Sequence, residues 1–163
     1  MSKGFFKSPI GTIEILSENG RITKIDLIGY KTDYEKCNKR DAEFCRNPAD
    51  DNVINNTKQQ LAEYFDGTRK TFEVDIDPHG TEFQKAIWNV LMTIPYGMTM
   101  SYAQVAEAAG YPKSHRAAGS AVGKNPLLII VPCHRVIKAD GSLGGFSCGI
   151  ENKIILQKTE GIL

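Results

Sequence analysis

A short turn-forming segment near the middle of the chain separates two different kinds of hydrophobic pattern. The segment Asp77-Pro78-His79-Gly80 contains proline and glycine, which both interrupt helices and strands. Before it, apolar residues alternate with polar ones as in strands, and after it they recur every three or four residues as in helices. We therefore predict an α+β chain with an N-terminal α/β domain over residues 1–77 and a mostly helical domain over residues 78–163.

The first half is expected to contain a β-hairpin over Gly11 to Ile28. The dipeptide Asn19-Gly20 within it is typical of a two-residue hairpin turn. A helix is predicted over Thr57 to Phe65, with Asn56 or Thr57 as its N-cap and a glycine just past its end. A further strand is predicted over Thr71 to Ile76.

The second half is predicted to be mostly helical. Its first helix begins after the cap Thr81 and stops before Pro95. Its apolar face comprises Phe83, Ile87, Val90, Leu91 and Ile94. Two short helices are predicted over Tyr102 to Ala109 and over His115 to Val122, with Ser114 capping the second. Because a tight turn with glycine joins them, we predict a helix-turn-helix.

Composition narrows the class of protein. The net charge is +1, but residues 81–163 hold eight basic and five acidic residues, which weakly favours a polyanionic partner for that half. No apolar run is long enough to span a bilayer, and the N-terminus lacks a signal-peptide core, so we expect a cytoplasmic protein with access to the nucleoid or nucleus and no membrane partner.

Four cysteines are present, and none form a CxxC pair. A zinc ribbon is therefore not indicated, and we find no matched set of metal ligands. Cys37 and Cys45 are expected to be small buried hydrophobic residues within the polar stretch 33–52, which is expected to be irregular or partly helical.

Cys133 differs from the other cysteines in its neighbours. Pro132-Cys133-His134-Arg135 follows the apolar run Leu127 to Val131, which we expect to form a buried strand, and a helix is predicted over Glu151 to Lys158. A thiol between an apolar segment and basic side chains favours a depressed pKa and a reactive thiolate. Because neighbours in an extended chain point to opposite sides, a bridging water would connect the thiol to His134, with a carboxylate behind the imidazole.

The second helix of the predicted helix-turn-helix is unusually rich in small residues. These are Ala117, Ala118, Gly119, Ser120, Ala121 and Gly123. A narrow helix face permits close approach of a nucleic-acid groove, but tight packing against another helix is an equally good interpretation. Arg116, at the start of this helix, is either a surface charge or a residue that points into DNA.

Several of these segments together resemble the O6-alkylguanine-DNA alkyltransferases. They are Ile94-Pro95-Tyr96-Gly97, Ser101-Tyr102, Arg116-Ala117, Gly123-Lys124-Asn125-Pro126 and Ile130-Val131-Pro132-Cys133-His134-Arg135-Val136. The resemblance covers Gly80 to Gly161, and it continues more loosely through Gln60-Leu61-x-x-Tyr64-Phe65-x-Gly67. It implies a ribonuclease H-like N-terminal domain, a winged-helix-like DNA-binding domain, and the short type of protein that lacks an extra zinc domain.

The resemblance also implies the catalytic residues. Cys133 would accept the alkyl group, His134 would act as a base through water, and Glu160 would complete the relay. Asn125 would act as a hinge between the recognition helix and the active-site strand. Tyr102 would favour nucleotide rotation and donate to guanine N3, stabilising the leaving group.

Further roles implied by the resemblance concern DNA and the base pocket. The helix-turn-helix would enter the minor groove, and Arg116 would fill the space left by the extruded base. The expected DNA contacts are Tyr102, Arg116, Ala117, Ser120, Lys124 and Arg135. The expected pocket residues are Val136, Phe146, Ser147 and Cys148, and main-chain groups near Val136 and around Ser147 would read the guanine edge. Relatives often have Tyr-Ser-Gly-Gly where this chain has Phe146-Ser147-Cys148-Gly149, so we treat Cys148 as a neighbour of the pocket and not as a second acceptor.

The expected substrate is double-stranded DNA containing O6-alkylguanine, bound by a monomer without a cofactor. Activity on O4-alkylthymine is left open by the sequence. Three alternatives are a lesion-binding protein without transfer, a helix-turn-helix regulator and a cysteine hydrolase. The first lacks the acceptor cysteine that this chain has, the second has no use for the Pro-Cys-His-Arg segment, and the third would act without DNA.

Overall fold

The computed structural model of the protein describes residues 1–28 and 47–163. The chain forms two compact units, Met1–His79 and Gly80–Leu163. The first holds a small antiparallel sheet with a helix, and the second is mostly helical, which confirms the predicted α+β class. Predictions made for residues 33–46, including those for Cys37 and Cys45, lie outside the described residues. Within the described residues, no helix has the length and apolar character needed to cross a membrane.

Among residues 1–28 and 47–79, the sheet of the first unit has three antiparallel strands in the order β1-β2-β3. They are β1 (Ser2–Ser8), β2 (Gly11–Glu18) and β3 (Arg21–Ile28). The predicted hairpin is confirmed, with Asn19 and Gly20 at φ 54° and 76° in its turn. Strand β1 was not predicted, because its fully buried positions are Ser2 and Gly4 and not large apolar residues. A Cβ on Gly4 would lie 2.4 Å from the side chain of Ile54, so close helix packing requires glycine there.

The helix that the structure describes in the first unit, α1 (Pro48–Phe65), begins nine residues earlier than predicted. Asn47 is the N-cap, and its side chain accepts a hydrogen bond from the backbone of Ala49. The prediction of a cap at Asn56 or Thr57 is wrong, because Thr57 lies inside the helix and its hydroxyl donates to the carbonyl of Val53.

The strand predicted over Thr71 to Ile76 is also wrong for most of its length. Only Ile76 pairs, through an isolated parallel bridge to Ile22. The amide of Ile22 donates to Asp75, and the amide of Asp77 donates back to Ile22. This segment therefore covers the outer edge of β3 at one point without extending the sheet.

The second unit contains four helices and two short paired strands. They are α2 (Glu82–Thr93), β4 (Met100–Ser101), α3 (Tyr102–Ala108), α4 (His115–Gly123), β5 (Val136–Ile137) and α5 (Ile150–Thr159). Thr81 caps α2 as predicted, in a capping box with Gln84, and Ser101 caps α3 in the same way with Gln104. Ser114 occupies the N-cap of α4 but makes no capping hydrogen bond, so that prediction is wrong.

Helices α3 and α4 pack against each other as the predicted helix-turn-helix. The indole nitrogen of Trp88 donates to the carbonyl of Ala121 at 2.9 Å, which joins α2 to α4. Of the predicted apolar face of α2, Ile87, Leu91 and the following Ile94 are buried. The core of this unit therefore fixes the orientation of α4.

The apolar run Leu127 to Val131 is mostly buried, as predicted, but it is not a strand. The amide of Val131 donates to the carbonyl of Leu127, so the chain folds back on itself. Ile129 has φ 73°, a left-handed conformation that is strained for a β-branched residue. The following Cys133–Arg135 form a 3-10 turn and not an extended segment. Adjacent side chains here do not alternate as they would in a strand.

Candidate active site

A cavity of about 460 Å³ lies beside Cys133, within the size range of small-molecule sites. Its walls come from the helix-turn-helix and from the loop between β5 and α5. The lining residues are Tyr102, His115, Arg116, Gly119, Val122, Gly123, Cys133, Lys138, Gly144, Gly145, Phe146 and Ser147. The cavity places the cysteine against the same helix that was predicted to meet DNA.

Cys133 is 4% exposed, and its sulfur lies 3.2 Å from the side-chain nitrogen of Asn125. Burial raises the pKa of the Cys133 thiol to about 11, although the hydrogen bond from Asn125 acts in the opposite direction. The expected depressed pKa is therefore wrong, because the apolar surroundings outweigh the basic neighbours. A base must remove the proton before this sulfur attacks an electrophile.

Asn125 holds the turn that carries the cysteine. Its side-chain nitrogen donates to the carbonyl of Val131 at 2.7 Å, and its side-chain oxygen accepts from the amide of Leu127 at 2.9 Å. One side chain thus connects the end of α4, the folded apolar run and the sulfur. Asn125 thus lies where the hinge was predicted, between the recognition helix and the cysteine, but the segment that follows it is a turn and not the expected strand.

His134 and Glu160 are brought together as the resemblance implied. The Nε2 atom of His134 lies 2.5 Å from a carboxylate oxygen of Glu160, and both side chains are fully buried. Burial lowers the pKa of His134, while Glu160 opposes this shift. Burial acts to raise the pKa of Glu160, but hydrogen bonds from His134 and Arg135 bring it to about 2. Glu160 is therefore an anion that supports positive charge on the imidazole.

Arg135 was predicted to contact DNA, and this is wrong. Its guanidinium makes two hydrogen bonds to Glu160, at 2.8 and 2.9 Å, and a third to the carbonyl of Ile94 at 2.6 Å. The residue is 6% exposed, because the 3-10 turn directs it inward against the carboxylate. Arg135 fixes Glu160 beside His134 instead of facing solvent.

Tyr102 is half-buried and lines the cavity at the start of α3. Burial raises the pKa of its hydroxyl, and Cys133 raises it further, so the group is a hydrogen-bond donor at neutral pH. A Cβ on Gly144 would lie 3.0 Å from this hydroxyl, and Gly144 has φ 70°. Glycine at 144 therefore leaves the hydroxyl facing an open cavity.

The predicted DNA contacts on α4 share one exposed face. Arg116, Ala117, Ser120 and Lys124 are exposed, whereas the small residues Ala118 and Ala121 are buried. Close packing therefore explains the small residues on the buried face, and approach to a nucleic-acid groove stays a prediction for the exposed face. Arg116 also lines the cavity.

Of the predicted pocket residues, Phe146 and Ser147 line the cavity, whereas Val136 and Cys148 do not. The side chain of Val136 is fully buried in β5, and its carbonyl accepts from Lys153. The carbonyl of Cys148 accepts from Asn152, which places Cys148 at the start of α5 and outside the wall. Their placement in the pocket is corrected on these grounds.

Sequence reasoning missed two basic residues in the lining, His115 and Lys138. His115 stands beside Arg116 at the start of α4, and this adjacency was a usable signal. Lys138 follows β5, and no local pattern distinguishes it from any exposed lysine. Only the fold of the following loop brings it to the cavity.

Comparisons with known proteins decide the family. The model of the 6-O-methylguanine DNA methyltransferase ribonuclease-like domain matches residues 1–78, and that of its DNA-binding domain matches residues 82–162. The methylated-DNA–protein-cysteine methyltransferase of Methanosarcina acetivorans is 40% identical over 163 residues, covering 99% of each chain. This chain belongs to the 6-O-methylguanine DNA methyltransferase family.

Solved structures agree with the family assignment. The crystal structure of the O6-methylguanine methyltransferase of Mycobacterium tuberculosis is 35% identical, with a TM-score of 0.82, and the match covers 98% of this chain and 92% of that one. A structure of the Mycobacterium tuberculosis protein in complex with DNA matches with 35% identity, the same coverage and a TM-score of 0.84. The two-part architecture of the methyltransferase family thus spans essentially the whole chain.

Proposed function

We propose that this protein repairs DNA by transferring the alkyl group of O6-alkylguanine to its own Cys133, once per molecule. The observation that carries the proposal is the position of Cys133. It lines a cavity beside the helix-turn-helix, and the residue that follows it, His134, is paired with Glu160. The names of the relatives and the DNA complex of the Mycobacterium tuberculosis protein support the same activity.

The chemistry is a displacement at the alkyl carbon. His134 takes the thiol proton through a water molecule, and Glu160 stabilises the resulting imidazolium. The sulfur of Cys133 forms a bond to the alkyl carbon as the bond from that carbon to guanine O6 breaks. The guanine anion, which stays attached to the DNA, takes up a proton and becomes an unmodified guanine, and the Tyr102 hydroxyl stabilises its charge until then.

Access to the lesion requires the nucleotide to leave the base stack, because an alkyl group inside the duplex cannot reach a buried thiol. Helix α4 would lie in the minor groove, with Arg116 filling the space left by the base. The exposed small residues Ala117 and Ser120 permit close approach to the DNA, and Lys124 would contact phosphate. Phe146 and Ser147 would border the extruded guanine.

A thioether has no easy leaving group, so each molecule reacts once and is consumed. The same chemistry requires Cys133 to remain a free thiol before it meets a lesion, which suits a reducing compartment such as the cytoplasm. We propose that the protein acts there as a monomer. O6-alkylguanine is the proposed substrate, and O4-alkylthymine stays a second substrate to be tested.

The experiment that tests the proposal mixes the protein with a duplex that holds one O6-methylguanine. Mass spectrometry of the intact protein and of its peptides should find one added methyl group, on the peptide with Cys133. Cys133→Ala should abolish the transfer, whereas Cys148→Ala, as the matched control, should keep it. Lesion-selective binding without transfer would instead make this a lesion-binding protein, and neither binding nor transfer would contradict the function altogether.

A further inference from the structure

Lys153 is a buried cation in helix α5 that no step above uses. The residue is 0% exposed, and its ammonium donates to the carbonyl of Val136 at 2.6 Å and to that of Leu143 at 2.5 Å. A third, longer hydrogen bond reaches the carbonyl of Gly145 at 3.4 Å. Lys153 therefore joins the end of the cysteine-bearing turn to the loop that forms the cavity wall.

All three acceptors are neutral. Among residues 1–28 and 47–163, no carboxylate lies within 4.0 Å of the ammonium group of Lys153. A buried charge without a counterion is costly, and this burial lowers the pKa of Lys153 to about 8. A neutral hydrogen-bond donor could hold the same loop carbonyls, so the positive charge of Lys153 is not needed for that purpose.

The charge interacts with the reactive thiol. Lys153 acts to lower the pKa of Cys133, and Cys133 acts to raise the pKa of Lys153. The geometry agrees, because Val136 ends the turn that Cys133 begins, and Gly145 lines the cavity together with Cys133. A negative charge that forms on the sulfur during alkyl transfer would be attracted through space by this ammonium, whose hydrogen bonds all go to neutral carbonyls.

Other titratable groups face Cys133 from each neighbouring element. Tyr102 on α3 keeps its proton at neutral pH, because burial raises the pKa of its hydroxyl, and Cys148 stands before α5. His115, Arg116 and Lys138 also line the cavity. On its own turn, the charge of Arg135 is balanced by Glu160, which is also paired with His134. Lys153 is thus the fully buried cation in this group whose charge no carboxylate balances.

We propose that Lys153 is a positioning residue that holds the cavity wall at Leu143 and Gly145 and stabilises the Cys133 thiolate electrostatically. This inference rests on the alkyl transfer proposed above, but the property that it assigns is the acidity of the Cys133 thiol. It is measurable without DNA, so its failure is distinguishable from failure of the transfer.

The test is the rate of Cys133 alkylation by iodoacetamide between pH 6 and 10, followed on the Cys133 peptide by mass spectrometry. In this reaction a carbon–sulfur bond forms, iodide leaves and the thiol proton goes to solvent. Lys153→Met should slow the reaction several-fold at pH 7.5, because losing this charge raises the pKa of the Cys133 thiol further. Lys158→Met, an exposed lysine on the same helix, is the matched control and should react as the unmodified protein does.

The pH profile of the unmodified protein gives an independent readout. Lys153 is charged below pH 8, so its effect on the thiolate is present there and is lost above it. The slope of the logarithm of the rate against pH should therefore decrease around pH 8 and recover above it, whereas Lys153→Met should show one continuous slope. Circular dichroism and thermal unfolding establish that the variants are folded.

Two results would overturn the proposal. One is a folded Lys153→Met protein whose Cys133 reacts at the unmodified rate over the whole pH range. The other is a profile of the unmodified protein that rises with constant slope through pH 8, which needs no variant and decides the matter even where Lys153→Met fails to fold. Methyl transfer from the O6-methylguanine duplex, measured in parallel, tests the proposed function separately.

Discussion

Glu160 is the residue on which most of the buried polar groups of the site converge. It accepts hydrogen bonds from His134, from Arg135 and from the amide of Gly97. Its side chain is fully buried, so these donors replace water entirely. The same carboxylate therefore serves both the proposed chemistry and the stability of the second unit.

Glu160→Gln should lower the unfolding free energy, because it removes the buried negative charge that balances Arg135. Breaking a buried pair from one side costs about 3–5 kcal/mol, because the remaining charge is left without its partner. The pKa of Glu160 in the folded protein is about 2, below its ordinary 4.5. Its stabilisation is therefore present above pH 4.5 and is lost as the pH falls towards 2.

Urea unfolding of both proteins at pH 7, 4.5 and 3 checks this expectation. The difference in unfolding free energy should be largest at pH 7 and should shrink at pH 3. Glu151→Gln, an exposed carboxylate in the first turn of α5, is the matched control. A difference that stays constant with pH would show that the ionised carboxylate is not the stabilising species.

Cys148 should not accept an alkyl group. It lies outside the cavity wall, and the His134–Glu160 pair is built around the turn of Cys133. In a Cys133→Ala protein exposed to the O6-methylguanine duplex, we expect no methyl on the Cys148 peptide. Methylation there, detected by peptide mass spectrometry, would make Cys148 a second acceptor.

At the level of elements, the N-termini of the helices differ in how their free amides are satisfied. Helices α2 and α3 both begin with reciprocal capping boxes, at Thr81 with Gln84 and at Ser101 with Gln104. Ser114, with φ −110° and ψ 31°, does not have the extended backbone conformation that is common at N-caps, and its side chain makes no capping hydrogen bond. The start of α4 therefore leaves amides available beside His115 and Arg116.

Thr81→Ala should lower the unfolding free energy by about 1 kcal/mol, the usual effect of losing an N-cap side chain. Ser114→Ala should change the unfolding free energy by only a few tenths of the effect of Thr81→Ala, because no capping hydrogen bond is lost. Urea unfolding followed by far-ultraviolet circular dichroism compares the two variants. Equal destabilisation by both substitutions would contradict the difference between the two caps.

At the level of the whole molecule, charge is divided between the two halves of the chain. Residues 81–163 carry a net charge of +3 while the remainder is net negative. With Arg135 bound to Glu160 and Lys153 buried, the basic residues left for DNA are the exposed ones, including Arg116 on α4 and Lys124 just after it. The polyanion-binding surface is thus smaller than the count of basic residues indicates.

Lys124→Ala should weaken DNA binding and reduce its dependence on salt. Losing one phosphate contact lowers the slope of log affinity against log salt concentration by about one. Fluorescence anisotropy with a labelled duplex between 50 and 300 mM salt measures the slope. Lys158→Ala should leave it unchanged, and an unchanged slope for Lys124→Ala would place the phosphate contacts elsewhere.

Local signals in the sequence were sufficient for the hairpin, the capped helix α2 and the helix-turn-helix. Each depends on residues close together in the chain, such as Asn19-Gly20 in a turn or Thr81 three residues before Gln84. The pairing of His134 with Glu160 was available through resemblance to a family alone. They lie 26 positions apart in the chain, and no spacing rule connects them.

Only the tertiary structure decided the properties that depend on burial. The thiol of Cys133 has a raised pKa and not a depressed one, because desolvation outweighs the basic neighbours that the sequence displays. Arg135 faces Glu160 and not DNA, since a 3-10 turn replaces the expected strand. Lys153 looks like any helix lysine until the fold buries it under three carbonyls. Sequence determines which groups are present, but distance and solvent exposure determine their charge and partners.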